Sequence, residues 1–285
     1  AEKQGLISAC LFWPGCVAEI AGFRPTHWEP YDGDKSFETR VEQVLGWLDL
    51  PESERPRLIA LYFQDPNDIS HHHGPESPET FAAVREVDAR VGDLAAGIEQ
   101  RGLWDRVHLI VVSDHGMAAV DAERMVYLDD FIELEDGELF EDGALVQIYP
   151  REGREDLVYE ALHGASPYLT VYRRDEIPES FHLRVSPRAP RILGVPEVGW
   201  EVTGSRGSAR DLEIRTLKGD HGQDPADSRM HGLFVARGRK FHSEVVIKRL
   251  DGVDIYTLMT MILELEPMPN DGNPENLKPI LQIDE

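Results

Sequence analysis

The chain has 285 residues, of which 41% are hydrophobic, and its 29 basic against 53 acidic side chains give a formal net charge of -24 at pH 7. A surface this acidic repels nucleic-acid backbones and anionic lipid headgroups, which argues against either as a partner, and an anionic substrate would need the local field reversed by divalent cations. The apolar content is enough for a core and fits one large α/β domain over 1–285, while the longest apolar runs fall far short of a bilayer span.

Read from the start, Ala1 to Leu6 resembles the end of a helix running into a strand, so the sequence is expected to begin in mid-domain. Leu6 to Trp13 is a near-continuous apolar run ended by Pro14-Gly15, as in a buried parallel strand. Cys10 and Cys16 flank its end; two cysteines are too few for a disulfide framework, and they read as small buried side chains. Lys35 to Leu50 carries Phe37, Val41, Val44, Leu45 and Leu48 at helical spacing. Leu58 to Phe63 is the next strand and opens into the polar stretch Gln64 to Pro75. A helix over Pro78 to Arg101 leads to a third strand, Val107 to Val112, which opens into Ser113-Asp114-His115-Gly116. This alternation predicts a mostly parallel, doubly wound sheet with helices on both faces. Further on, strands are expected at Leu145 to Tyr149, Leu169 to Tyr172 and Gly232 to Ala236, and helices at Leu157 to His163 and Val253 to Leu265. The stretch from Gly222 to Arg229 reads as irregular, and the Pro/Arg-rich stretch from Arg184 to Pro196 as an insertion.

Three clusters of metal-type ligands sit beside expected strand ends, where open α/β sheets place their sites. The clearest is Asp114-His115-Gly116, an adjacent carboxylate and imidazole of the kinds that bind Zn²⁺, although an Asp cap beside a solvent-facing His gives the same letters. Asp65-Pro66-Asn67-Asp68-Ile69-Ser70-His71-His72-His73 is the second, with a solvated polar loop as its plainer reading. The third, Gly219-Asp220-His221-Gly222, is weak alone. Together they converge only if the sheet brings their loops to one edge.

Trp13-Pro14-Gly15, Pro30-Tyr31, Leu61-Tyr62-Phe63 with the Asp/His loop and Gly74-Pro75, Ser113 to Met117, Gly219 to Asp224 and Pro269 to Gly272 occur in one order along the chain. That set resembles the nucleotide pyrophosphatase/phosphodiesterase family, an alkaline-phosphatase-like group of α/β metalloenzymes. The resemblance implies two divalent ions, with zinc expected: His71 and His221 on one, Asp114 and His115 on the other. It makes Tyr31 similar to a base-stacking tyrosine, with Trp13 and Pro14 nearby in a substrate pocket; ordinary half-buried aromatics would look the same. Where the family places a metal-binding Asp, four residues before the histidine, this chain has Asn67, with Asp68 or Asp65 as alternatives in a shifted register. The family's nucleophilic Thr and one further ligand Asp are expected on segments before residue 1. The implied activity is hydrolysis of phosphodiester or pyrophosphate bonds in nucleotides or related small diesters, in a periplasmic or extracellular setting. Phosphomonoester hydrolysis, another reaction of the superfamily, or a non-catalytic protein that has lost a metal ligand are the alternatives.

Overall fold

The computed structural model describes residues 1–141 and 143–282. In chain order its strands are β1 (Ser8–Leu11), β2 (His27–Trp28), β3 (Leu58–Leu61), β4 (Leu109–Val112), β5 (Ala118–Ala119), β6 (Met125–Tyr127), β7 (Gly137–Glu141), β8 (Val146–Pro150), β9 (Leu169–Arg173), β10 (Ile192–Pro196), β11 (Glu201–Thr203), β12 (Gly219–Asp220) and β13 (Phe234–Arg237). Its α-helices are α1 (Phe37–Leu48), α2 (Asn67–His73), α3 (Pro78–Gln100), α4 (Glu155–Leu162), α5 (Ala209–Ile214) and α6 (Asp254–Leu263). No helix among the described residues is long and apolar enough to cross a membrane. The chain divides into two compact units. The first takes Ala1–Gln64, Val84–Val112 and the segment from Phe234 onward; the second takes Asp65–Ala83 and Ser113–Leu233.

In the first unit β1 lies between β2 and β3 and is parallel to both, which is why its four residues are all buried. Helix α1 starts at the Ser36 cap, whose hydroxyl accepts the Thr39 N–H, and turns Val41, Val44 and Leu48 onto Leu94 and Ile98 of α3, with Ile59 and Leu61 of β3 alongside. Strands β3 and β4 are half-buried, since each has a strand partner on one side alone among the described residues: β3 pairs with β1, and β4 with β13. A second cluster, Leu258 of α6 with Phe241, Leu277, Ile280 and Leu281, packs against Ile110 and Phe234 of the β4–β13 pair.

Cys10 and Cys16 are disulfide-bonded, not free buried thiols. Phe12 takes a left-handed backbone (φ 68°), and the Cys16 N–H returns to the Trp13 carbonyl at 3.1 Å. The turn at Pro14-Gly15 thereby folds the chain back on the strand end and brings the two Cα atoms to 6.2 Å, within bridging range.

The second unit contains the four-stranded sheet β7-β8-β10-β9, in which all three pairings are antiparallel. The β8–α4–β9 segment has the connectivity of a parallel crossover, but β10 inserts between the two strands and runs antiparallel to both. The mostly parallel expectation is therefore met around β1 and in the β6–β11 pair, and not here or in the antiparallel β4–β13 and β5–β12 pairs. Strand β10 also corrects the reading of Arg184 to Pro196 as an insertion. Ile192–Pro196 is buried throughout, and a Cβ on Gly194 would lie 2.7 Å from Val146. The core of this unit gathers Val146 and Ile148, Val158 and Leu162 of α4, Leu169, Val171 and Ile192.

Candidate metal centre

Helix α2 occupies the polar stretch that the apolar pattern leaves as a loop. Its support is local: the Ser70 hydroxyl donates to the carbonyls of Pro66 (2.8 Å) and Asn67 (2.9 Å), and Gly74, with φ 90°, ends it. Helical spacing puts Asn67 and His71 on one face, a turn apart, while His72 and His73 are exposed. Two hydrogen bonds tie His71 to the start of β12. Its carbonyl accepts the Lys218 N–H at 2.7 Å, and its Nδ1 lies 2.8 Å from the Gly219 carbonyl. A carbonyl only accepts, so Nδ1 carries the proton and the lone pair is left on Nε2.

His115 is held by the same device, with Nδ1 donating to the Gly116 carbonyl at 2.7 Å and Nε2 free to face Asp114, whose Oδ1 is 3.4 Å away. Glycine is required at both turns. A Cβ on Gly116 would stand 2.0 Å from the Arg229 carbonyl oxygen, and one on Gly219 would stand 2.6 Å from that of Ser70. Strand β12 pairs with β5 in the register Asp220↔Ala118, which fixes the segment carrying His221 beside the segment carrying His115.

The four residues Asp114, His115, His71 and His221 thus come together within the second unit. The His115 and His221 rings stack at 3.4 Å between centroids, 13° apart, and the His71 ring is 5.1 Å from that of His221. Burial, and next the neighbouring His115, push the His221 pKa down to about 4, so the imidazole is neutral and able to donate a lone pair at physiological pH. Asn67 contributes a buried Oδ1 with no hydrogen-bond partner, while its amide N–H donates to Asp68 Oδ1 at 3.2 Å. A buried acceptor without a donor is what a cation ligand looks like before the cation is added. Asp68 itself is exposed.

One participant escaped the sequence reading. Ligand atoms of His71, Asp220 and His221 lie within 4.8 Å of one another, and Asp220 is 6% exposed. A signal for it was present: the tripeptide Asp-His-Gly occurs twice, at 114–116 and again at 220–222. Two imidazoles, a carboxylate and an amide oxygen form a donor set that suits a divalent cation.

Trp13, Pro14 and Tyr31 belong to the first unit. All three are exposed, and the Tyr31 ring meets the buried Phe12 ring in an edge arrangement with centroids 5.4 Å apart.

A family model described as type I phosphodiesterase/nucleotide pyrophosphatase matches residues 1–224. Human ectonucleotide pyrophosphatase/phosphodiesterase family member 5 is 33% identical over 280 residues, which are 98% of this chain and 57% of that protein. A bis(5'-adenosyl)-triphosphatase of Xenopus laevis is 32% identical over 281 residues, 98% of this chain and 60% of its own. The chain therefore spans a little over half the length of these relatives. Among solved structures, an inactive variant of murine family member 5 in complex with AMP superposes with a TM-score of 0.89 at 33% identity, covering 99% of this chain and 73% of that one. The fold is accordingly α/β of the alkaline-phosphatase-like kind, and the chain belongs to the type I phosphodiesterase/nucleotide pyrophosphatase family.

Proposed function

We propose that this chain is the metal-binding part of a hydrolase that cleaves phosphodiester or pyrophosphate bonds of nucleotides or related small diesters, with two divalent ions, zinc foremost, as cofactors. The observation that carries the reading is the convergence of His71, His115, His221 and Asp114 beside the orphaned amide oxygen of Asn67. When bound, a pair of such ions supplies positive charge to a phosphorus centre undergoing in-line displacement and to the oxygens around it.

The chain's own residues define the rest. His71, through Nε2, with His221 and Asn67 would hold one ion, and Asp114 with Nε2 of His115 the other. The backbone carbonyls of Gly219 and Gly116 hold a proton of His71 and of His115 on Nδ1, so Nε2 is the nitrogen each ring turns toward an ion. The exposed Tyr31 ring is the proposed stacking partner of a nucleobase, with Trp13 and Pro14 completing the substrate contacts; the AMP bound by the murine relative agrees with a nucleotide as substrate. The attacking group is assigned to none of these residues. The same reading makes 1–285 one catalytic domain on a doubly wound sheet. It also places the protein outside the cytosol, which the Cys10–Cys16 disulfide and the "ecto" in the name of the human relative support.

The test is hydrolysis of the nitrophenyl ester of thymidine monophosphate by the full-length protein. His221→Ala and His115→Ala should each lower turnover by more than about 100-fold, beyond the effect of a change in the surroundings of a ligand. Turnover within a few-fold of the unaltered protein in either variant overturns the reading.

A further inference from the structure

We propose that Asp220 is a direct ligand of the cation held by His71 and His221, and supplies there the negative charge that Asn67 lacks. The proposal rests on the metal-centre reading above. Three independent observations lead to it.

The first is geometric. Ligand atoms of His71, Asp220 and His221 already lie within 4.8 Å of one another. The nearest contact, Asp220 Oδ1 to His71 Nδ1 at 3.6 Å, is on the protonated edge of the ring, so Asp220 has to turn its carboxylate toward the Nε2 edge to reach the roughly 3.4 Å spacing of tetrahedral ligands that stand about 2.0–2.2 Å from zinc.

The second is electrostatic. Asp220 is buried, and among the described residues it pairs with no lysine or arginine. Its contacts are the His221 backbone N–H, 2.9 Å from Oδ1, and the His71 ring. One N–H bond leaves most of a carboxylate's acceptor capacity unused, and a buried anion without a cation is costly. A divalent ion between the two imidazoles offsets that cost.

The third concerns the partner position. An amide oxygen at 67 gives a neutral trio of Asn67, His71 and His221, which holds a divalent ion less well than a set with one carboxylate. The upstream alternative, Asp68, is exposed and engaged by the Asn67 amide. Strand β12 instead delivers a carboxylate from the other side, pinned by pairing with β5. The negative charge would thus come from strand β12 in place of helix α2, at the same site.

The experiment is Zn²⁺ titration of the whole chain against a chromophoric chelator, with the site defined as the binding event that His71→Ala removes. Asp220→Asn should weaken that event by at least about 100-fold, and adding Asn67→Asp should recover most of the loss. In the unaltered background Asn67→Asp should change affinity by less than about threefold, since the charge is already present. Co²⁺ absorption spectra, altered in Asp220→Asn and restored in the double variant, report the ligand set itself. Asp220→Ser serves if the amide does not fold. Affinity of Asp220→Asn within threefold of the unaltered chain overturns the proposal, as does an equal gain from Asn67→Asp in both backgrounds. Absence of any Zn²⁺ binding event that depends on His71 overturns the metal-centre reading as well.

Discussion

An alanine methyl at position 116 would sit 2.0 Å from the Arg229 carbonyl oxygen and 2.8 Å from that of His231, both backbone atoms. Gly116→Ala is thus expected to cost about 2 kcal/mol or more in urea unfolding, and to displace His115 and weaken metal binding at once. His108 gives a second prediction at this scale. Burial, followed by Lys240 and Arg239, lowers its pKa, and its Nε2 accepts the Lys240 backbone N–H at 3.3 Å. The native ring stays neutral at a pH where the unfolded chain has taken up a proton. Stability should therefore fall as pH drops below the unfolded value of about 6.5, with a slope up to about 1.4 kcal/mol per pH unit, and level off below the folded pKa. His108→Gln, which keeps an acceptor, should flatten that slope; an unchanged pH dependence of the urea midpoint tells against this account. His71, Asp114, His115 and His221 could be picked out as candidate ligands in the sequence because each follows or precedes an apolar, strand-forming run. Asp220 stood in the third cluster and in the repeated Asp-His-Gly, but its burial, which singles it out, comes from tertiary packing that the sequence does not encode. The Cys10–Cys16 bridge escaped for the opposite reason: the turn was visible, but its closeness depends on the left-handed backbone at Phe12.

Helices with an apolar period were readable almost to the residue, α1 and α3 above all, since their buried faces repeat every third or fourth position. Helix α2 has no such period; it is held by the Ser70 hydroxyl and by β12, and composition alone describes it as a loop. Strand β10 was misread because Pro190 and Pro196 bracket it and arginines precede it, although it occupies an interior place in its sheet. Two predictions belong to elements. Ser36→Ala removes the side-chain cap of α1 and should lower stability by about 1 kcal/mol, read as a shift in the denaturant midpoint without a change in slope. Gly194→Val would drive extra atoms into Val146 and Leu169 and should destabilise more, by about 1–3 kcal/mol, through the antiparallel sheet.

Across the whole molecule the dominant quantity is the net charge of -24. On the proposed function a phosphodiester would approach this chain against that field, so added salt should raise the second-order rate constant at subsaturating substrate, reversing the usual sign for oppositely charged partners. Stopped-flow or initial-rate measurements across a range of ionic strength check it; a rate that falls with salt would show that the positive field of the loaded centre reaches well beyond the site. The sheet order was the part of the fold least legible in the sequence. A βαβ pattern predicts parallel neighbours, and nothing in the spacing of β8, α4 and β9 reveals that a later strand enters between them.

The clamp on His71, one bond from its carbonyl and one from its ring, joins α2 to β12 through protein alone. Cation uptake by the proposed centre would then fill a standing frame, with little apolar surface removed from water in the process. Its calorimetric signature should be a heat-capacity change near zero and an unaltered far-ultraviolet circular dichroism, in contrast to zinc fingers, whose folding waits for the metal.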